Sequence, residues 1–510
     1  RPFFNRAIYM QVLSELDSSF LFLETNRTPL HAGGIFVFKK TSSRAKFSFN
    51  RFRSILESKL GNEPFFRERL VESPINSDLP VWAEDPDFDL DNHLKYINLS
   101  ESLPQHSLMS LSSEIFSTPV DRSRPLWSAT YIDGLEQEKG FNKQHFALAL
   151  KVHITAIDGI TGEDILSQLL HVSPQISEIE EIEEWDPKPL PETESWLGAA
   201  YNNVLTLPSK LTGLAKDTAS SAFYSILYEH LQKLNLPANL MSVAATPINQ
   251  QISGQRVIEN LEIPVADIRA IRRSLKDVTT NDIVMGICAE AISNYLKDMN
   301  STPKAPLIAL APISVRSTSL DIKSGNQLAA TLFSLATTEQ NPIKRIQLIH
   351  ETAQSSNSYD AAIAASTLTE LVPSCIAGLS ARVYSEFLLA QKHKPMFNLP
   401  ITNIPGPQFP LYFEENELTK YICTTPLFDG IGLALMIVSY NGNYNLTSTY
   451  CPNTLTLEKT FTTYLNEALH TIMQEKDNAT SLDQSLKSAT PTGIIDGVAG
   501  LVNNLFSLGK

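Results

Sequence analysis

The chain has 510 residues, 43% of them apolar and 19% charged, with a net charge of −14. Two domains of roughly 200 residues are predicted, because a single ordinary core does not grow this large. No apolar run reaches the ~18 residues of a bilayer span. No Lys/Arg block is present to neutralise phosphates, which argues against nucleic acid as a partner. The opening RPFFNRAIYM lacks the order of a secretion signal, so a cytoplasmic protein is expected. Cys288, Cys375, Cys423 and Cys451 lack CxxC spacing and read as free buried thiols in a reducing compartment, with no metal site.

In chain order, residues 31–38 read as a strand, and Phe52, Ile55, Leu56 and Leu60 form a helical stripe. Residues 144–153, QHFALALKVH, are strongly strand-like, with Phe146, Leu148, Leu150 and Val152 on one face. The pattern turns helical after Asp158-Gly159. Glutamates and then prolines crowd residues 174–194 and predict a solvated linker. The second half adds a helix at 267–276 and another at 283–296 that starts at Thr279-Thr280-Asn281-Asp282. Strands follow at 307–315 and 329–337, then a hairpin turn at Asn441-Gly442, where both residue types tolerate positive φ. Leu457, Phe461, Tyr464, Leu465, Leu469 and Ile472 outline a last long helix.

The interleaving predicts an α/β protein with two similar layered domains, 1–173 and 241–480, joined by an acidic linker and helical crossover over 174–240. Residues 481–510 complete the chain. Polar 481–493 read as a mobile tether. Beyond it, Ile494, Val498, Leu501, Leu505 and Leu508 make one apolar helical stripe. That stripe either docks on its own protein or attaches reversibly to a membrane or lipid droplet.

The stretch KVH-ITAIDG is the most informative. A histidine leaving a strand, followed by an Asp-Gly pair that opens a helix, suits general-base catalysis. A histidine at a strand end also serves as a plain structural residue.

Around it lie DRSRPLW (residues 121–127), TPINQQISGQR (246–256), TTNDIV with Asn281-Asp282, LAPISVR ending at Arg316, and Gly325-Asn326-Gln327. FNLPITNIPGP (397–407) and FDGIGLALMIVSYNG (428–442) follow. This order over most of the chain resembles the bacterial wax ester synthase/diacylglycerol acyltransferase family. The resemblance implies a two-domain, chloramphenicol-acetyltransferase-like (CoA-dependent acyltransferase) fold with mixed sheets covered by helices. It also implies acyl transfer from acyl-CoA to a long-chain alcohol or diacylglycerol, with no tightly bound cofactor. In the family motif HHxxxDG the second His is the base and the Asp is structural. His153 matches the first His, Asp158 the Asp and Gly159 the Gly.

Ile154 occupies the base position. Neighbouring strand residues point to opposite faces. Ile154 should therefore continue the face of Phe146, Leu148, Leu150 and Val152, with His153 on the other. Where the family's late strand reads LNxT, this chain has Leu433-Ala434-Leu435-Met436. Three polar groups have become apolar, which reads as natural divergence. Asn281 is a candidate helix cap or channel residue, alongside Asp282 and Asn403. Pro405-Gly406-Pro407 reads as a rigid turn shaping the channel.

Three functions follow. The chain is an O-acyltransferase on long acyl chains, or an enzyme repurposed to position an acyl or polyketide-type chain for another reaction. The third is a non-catalytic protein that binds lipid or an acyl carrier. In each, an apolar tunnel near Ile154, Ala434 and Met436 is expected to hold a long acyl chain or another apolar small molecule.

Overall fold

The structure, a computed structural model, describes residues 13, 18, 20–21, 23–41, 47–61, 64–72, 80–102, 105–157, 169–176, 179, 243–275, 277–314, 328–356 and 397–489. Asp158, Gly159, Arg316, residues 325–327, Cys375, most of the acidic linker and residues 494–510 lie outside the described residues.

In the first half the strands are β1 (His31–Lys39), β2 (Glu68–Val71), β3 (Val81–Glu84), β4 (Leu94–Asn98), β5 (Trp127–Asp133) and β6 (His145–His153). The helices with them are α1 (Phe49–Gly61), α2 (Leu108–Ser117) and the short turn α3 (Ile154–Ile157). The second half holds β7 (Val257–Pro264), α4 (Val265–Ser274), α5 (Thr280–Asp298), β8 (Ile308–Ser314), β9 (Leu328–Ser334) and α6 (Pro342–Ser356). After these come β10 (Leu399–Pro405), β11 (Tyr412–Phe413), β12 (Asn416–Thr424), β13 (Leu433–Tyr440), β14 (Asn443–Tyr450) and α7 (Phe461–Ala489).

Among the described residues two six-stranded sheets carry the fold, in the spatial orders β11-β12-β1-β6-β5-β4 and β7-β14-β13-β10-β8-β9. Both are mixed: β4 runs parallel to β5, and β10 parallel to β13 and β8, while the other pairs are antiparallel. The first sheet takes β11 and β12 from the C-terminal half. That chain crossing was not readable in the sequence, because pairing between residues some 380 positions apart leaves no local pattern.

β6 is buried along its whole length, as a central strand should be. Phe146, Leu148, Leu150 and Val152 pack with Phe36, Phe38, Phe52 and Trp127. The opposite face, Ala147 and Ala149, packs with Ile35, Val37, α2 residues Leu108, Leu111 and Phe116, and Ile258 of the second sheet. Small alanines there let α2 and β7 approach closely. Helices α4, α5, α6 and α7 cover the second sheet through Ile268, Ile287, Ile346 and Leu465. Thr279 and Asp282 close a capping box on α5, so the predicted start is right and the cap is Thr279, not Asn281. Asn441 and Gly442 hold φ of 43° and 83° in the β13–β14 turn, as a two-residue hairpin requires.

Two expectations are corrected. The strand ends at His153 and Ile154 opens α3, so Ile154 does not continue the apolar face of β6. Alternation holds only while the backbone stays extended. The last helix begins at Phe461, where the Thr460 hydroxyl accepts the Thr463 N–H at 3.2 Å. It then runs on through residues 481–489, which composition had suggested as a tether. That stretch contains no Gly or Pro, so nothing in the backbone stops the helix.

β1 and β6 are drawn together at Gly33, where an added Cβ would lie 1.9 Å from the Leu150 carbonyl oxygen. Gly33→Ala should therefore destabilise the chain by about 2 kcal/mol or more. Urea denaturation measures this, and an unchanged midpoint would show that the strands can separate without cost.

Candidate functional site

The site is built where β1 and β6 end side by side. His31 pairs with His153 across the two strands, and the Ile154 N–H donates to the Leu30 carbonyl at 2.9 Å. His153 is fully buried. Its Nδ1 accepts the Thr155 N–H at 3.2 Å, so the ring proton belongs on Nε2. Nε2 lies 3.4 Å from Glu24 Oε2. That is too long for a good hydrogen bond, and Nε2 has no other partner among the described residues. Neither nitrogen of His153 presents a lone pair to a substrate. Ile154 is half-buried and has no polar atom beyond its backbone.

The segment 121–127 supports this arrangement. The Leu126 carbonyl accepts the His153 N–H at 2.9 Å, and the Trp127 indole donates to Phe66 O at 2.9 Å. Arg122 donates to Leu21 O at 2.9 Å and lies 3.8 Å from Glu24. Glu24, missed in the sequence because it lies in a polar turn far from the motif, also accepts the Leu30 N–H at 3.1 Å. Burial pushes its carboxyl up, but His153, the Leu30 N–H and Arg122 outweigh burial and hold it below the ordinary value of 4.5.

His31 was also missed as a site residue. Its Nε2 meets the Phe116 carbonyl at 2.9 Å, at the end of α2. Lys151 caps the same helix end, donating to Ile115 O at 2.9 Å and Thr118 O at 2.6 Å. Orphan carbonyls at a helix C-terminus favour such donors. Burial brings the Lys151 ammonium down to about 8. The only sequence signal for His31 was a histidine opening a predicted strand.

The remaining predicted residues are spread over the second sheet and its helices. Asp282 is buried, accepting from the Thr279 backbone N–H and hydroxyl at 2.7 Å and standing 2.7 Å from His350 Nδ1. It locks α5 to α6. Asn403, on β10, donates to Asn281 Oδ1 at 2.7 Å, which ties the strand to the first turn of α5. Pro405 is exposed. Gly406 presses against β13, where a Cβ would be 2.3 Å from Ser439 O. Ala434 is fully enclosed by Ile252, Leu427 and Cys451, whereas Met436 keeps part of its surface open. Both lie on the face of β13 turned away from the helices, since Leu433, Leu435 and Ile437 fill the helical core. Arg27 bridges the halves through Asp429 at 3.1 Å.

Cys288 and Cys451 are buried and Cys423 is half-buried, all three free; burial pushes the Cys288 and Cys423 thiols up to about 12. Among the described residues no His/Cys/Asp/Glu group could hold a metal ion. No helix there is long and apolar enough to cross a membrane.

Residues 13–284 match the wax ester synthase/diacylglycerol acyltransferase catalytic domain, and residues 324–473 the WS/DGAT C-terminal domain. The chain belongs to the wax ester synthase/diacylglycerol acyltransferase family. The O-acyltransferase WSD of Acinetobacter baylyi is 27% identical over 477 residues, covering 90% of this chain and 96% of that protein. Among solved structures, the wax ester synthase/diacylglycerol acyltransferase of Marinobacter aquaeolei VT8 superposes with a TM-score of 0.65 at 23% identity, over 92% of this chain and all of that one. The trichothecene 15-O-acetyltransferase of Fusarium sporotrichioides gives 0.55 at 11% identity, over 92% of this chain and 95% of that one. The fold is thus the two-domain α/β architecture of CoA-dependent acyltransferases. In this family member His153 is buried and its Nδ1 lone pair is taken by the Thr155 N–H.

The Glu24 carboxylate yields a pH prediction. Its folded pKa lies below its unfolded one, so the folded state holds fewer protons between the two values. The stabilisation is complete above about pH 4.5 and is lost as pH falls through the folded value. Glu24→Gln should cost about 1–3 kcal/mol at pH 7 and steadily less in acid. Urea titrations at several pH values check this; parallel acid limbs for both proteins would remove Glu24 from the account.

Proposed function

We propose that this chain binds long acyl chains as acyl-CoA or on an acyl carrier, and that it acylates long-chain alcohols or diacylglycerol only slowly. Ile154 carries this reading. An isoleucine at the base position of the WS/DGAT motif cannot accept the proton of an acceptor hydroxyl. His153 does not substitute, because its Nδ1 lone pair accepts the Thr155 N–H and its protonated Nε2 faces the Glu24 carboxylate at 3.4 Å.

The acyl chain is proposed to run past Ile154 and Met436, whose partly open apolar surfaces favour a hydrocarbon by roughly 25 cal/mol per Å² covered. Enclosed Ala434 forms wall behind this path rather than lining. Asn281, Asn403 and the turn at Pro405-Gly406 are proposed to shape the channel mouth; Asp282 holds α5 in place beneath them. Asp158 and Gly159 are proposed to brace and turn the loop after α3, in the motif's structural role. Residues 494–510 are proposed to touch a membrane or lipid-droplet surface where apolar substrates reside.

A second reading is favoured by the loss of polar side chains at 154, 434 and 436: a scaffold repurposed to position an apolar chain for another reaction. Mass spectrometry of ligand that co-purifies with the chain separates these readings. An acyl-CoA or acyl-carrier adduct supports the first, and an unrelated apolar metabolite the second.

The test of the base is direct. With acyl-CoA and a long-chain alcohol, ester formation should be slow, and Ile154→His should raise it about 100-fold or more, within the 10²–10⁴ range of general-base effects. Rapid ester formation by the unaltered chain, abolished by His153→Ala, would make His153 the base and sink the proposal.

A further inference from the structure

A small cleft lies between the two sheets, walled by His31, Phe116 and Thr424 on one side and by Arg256 and Thr449 on the other. Its free volume of about 10 Å³ admits the centre of one water-sized oxygen. Two buried polar atoms of the residues that line it have no hydrogen-bond partner among the described residues: His31 Nδ1 and Thr449 Oγ1. Both residues are only 3% exposed. Buried polar atoms without partners are uncommon, since each costs the desolvation of its group. Two around one oxygen-sized space point to an oxygen that belongs there.

The polarity of the site is fixed by its surroundings. The Phe116 carbonyl can only accept, so the neutral His31 ring carries its proton on Nε2 and its lone pair on Nδ1. Burial, and then the charge of Lys151, hold the ring well below the ordinary histidine range, so the lone pair is available at neutral pH. Thr449 faces Ala434 across β13–β14, and a methyl group cannot satisfy its hydroxyl. The Arg256 guanidinium is fixed on the same wall by the carbonyls of Ser253, Gln255 and Arg27. It supplies positive charge beside an oxygen that becomes negative.

We propose that this cleft is a hydroxyl-binding subsite, in which Thr449 holds a hydroxyl and His31 Nδ1 takes its proton. The inference rests on the reading that acyl-CoA binds this chain. His31 stands at the same sheet end as the motif, since His31 pairs with His153 and Leu30 accepts the Ile154 N–H. In the step, the O–H bond of the bound hydroxyl breaks and its proton goes to His31 Nδ1. Its oxygen forms a bond to the thioester carbonyl carbon. The carbon–sulfur bond then breaks, and the proton passes from His31 to the CoA thiolate. An alcohol in the subsite yields ester and CoA thiol; water yields fatty acid and CoA thiol.

The full chain is assayed with palmitoyl-CoA, with and without hexadecanol, following ester, palmitate and free thiol. His31→Gln keeps a donor for Phe116 O and removes the Nδ1 lone pair. It should lower turnover by about 100-fold or more, with melting temperature and palmitoyl-CoA affinity unchanged. Thr449→Val should raise KM for the alcohol more than it lowers kcat, and added imidazole should restore His31→Ala. Ester as the product assigns the subsite to an alcohol, and palmitate assigns it to water. Turnover in His31→Gln within twofold of the unaltered chain overturns the proposal. So does a loss that follows a lowered melting temperature or weakened palmitoyl-CoA binding without imidazole rescue. If palmitoyl-CoA binds and no turnover occurs, the role of His31 fails while the acyl-binding reading stands. If palmitoyl-CoA does not bind, that reading itself fails.

Discussion

The close approach of β1 to β6 at Gly33 is the constraint on which the site depends. Without a Cβ there, the two backbones lie within hydrogen-bonding distance along nine paired residues, from His31 opposite His153 to Lys39 opposite His145. The same pairing aligns the alanine face of β6 with Ile35 and Val37 and lets α2 settle on it. The carbonyls at the end of α2 then meet His31 and Lys151, donors that only this register supplies. A slip of one residue would turn both side chains to the other face.

The two histidines at this sheet end have opposite fates. His153 has its lone pair taken: Nδ1 accepts the Thr155 N–H, while Nε2 faces the Glu24 carboxylate at 3.4 Å without a hydrogen bond. His31 has one nitrogen committed and one unpartnered. Position in the motif does not decide which imidazole can exchange a proton. What decides it is the number of hydrogen-bonding neighbours left after the strand ends. Glu24 matters for the same reason, since its buried carboxylate is tolerated only because Arg122, the Leu30 N–H and His153 surround it.

The halves are joined by the chain itself as well as by contacts. β11 and β12 leave the second sheet's sequence neighbourhood to complete the first sheet, Lys420 of β12 pairs with Glu262 of β7, and Arg27 reaches Asp429. The blocks TTNDIV and NIPGP supply further supports. Asp282 ties α5 to α6, Asn281 meets Asn403, and Gly406 lets β10 lie against β13. These polar blocks of the WS/DGAT scaffold mostly hold elements together.

The sequence by itself determined the family, the alternation of strands and helices, the α5 cap at Thr279 and the Asn441-Gly442 turn. These are local: periodicity, capping and φ preference act within a few residues of one another. The sequence also sets Ile154 after His153, the step on which the proposed function rests. It could not say that Ile154 opens a helical turn, that the last helix runs through 489, or that β12 crosses to the first sheet. Nor could it bring Glu24 to His153, or Thr449 to His31. Those pairings join positions more than a hundred residues apart, and burial, packing and hydrogen-bond satisfaction across the whole fold decide them. Only the tertiary structure could separate a histidine that is spent from one that is not.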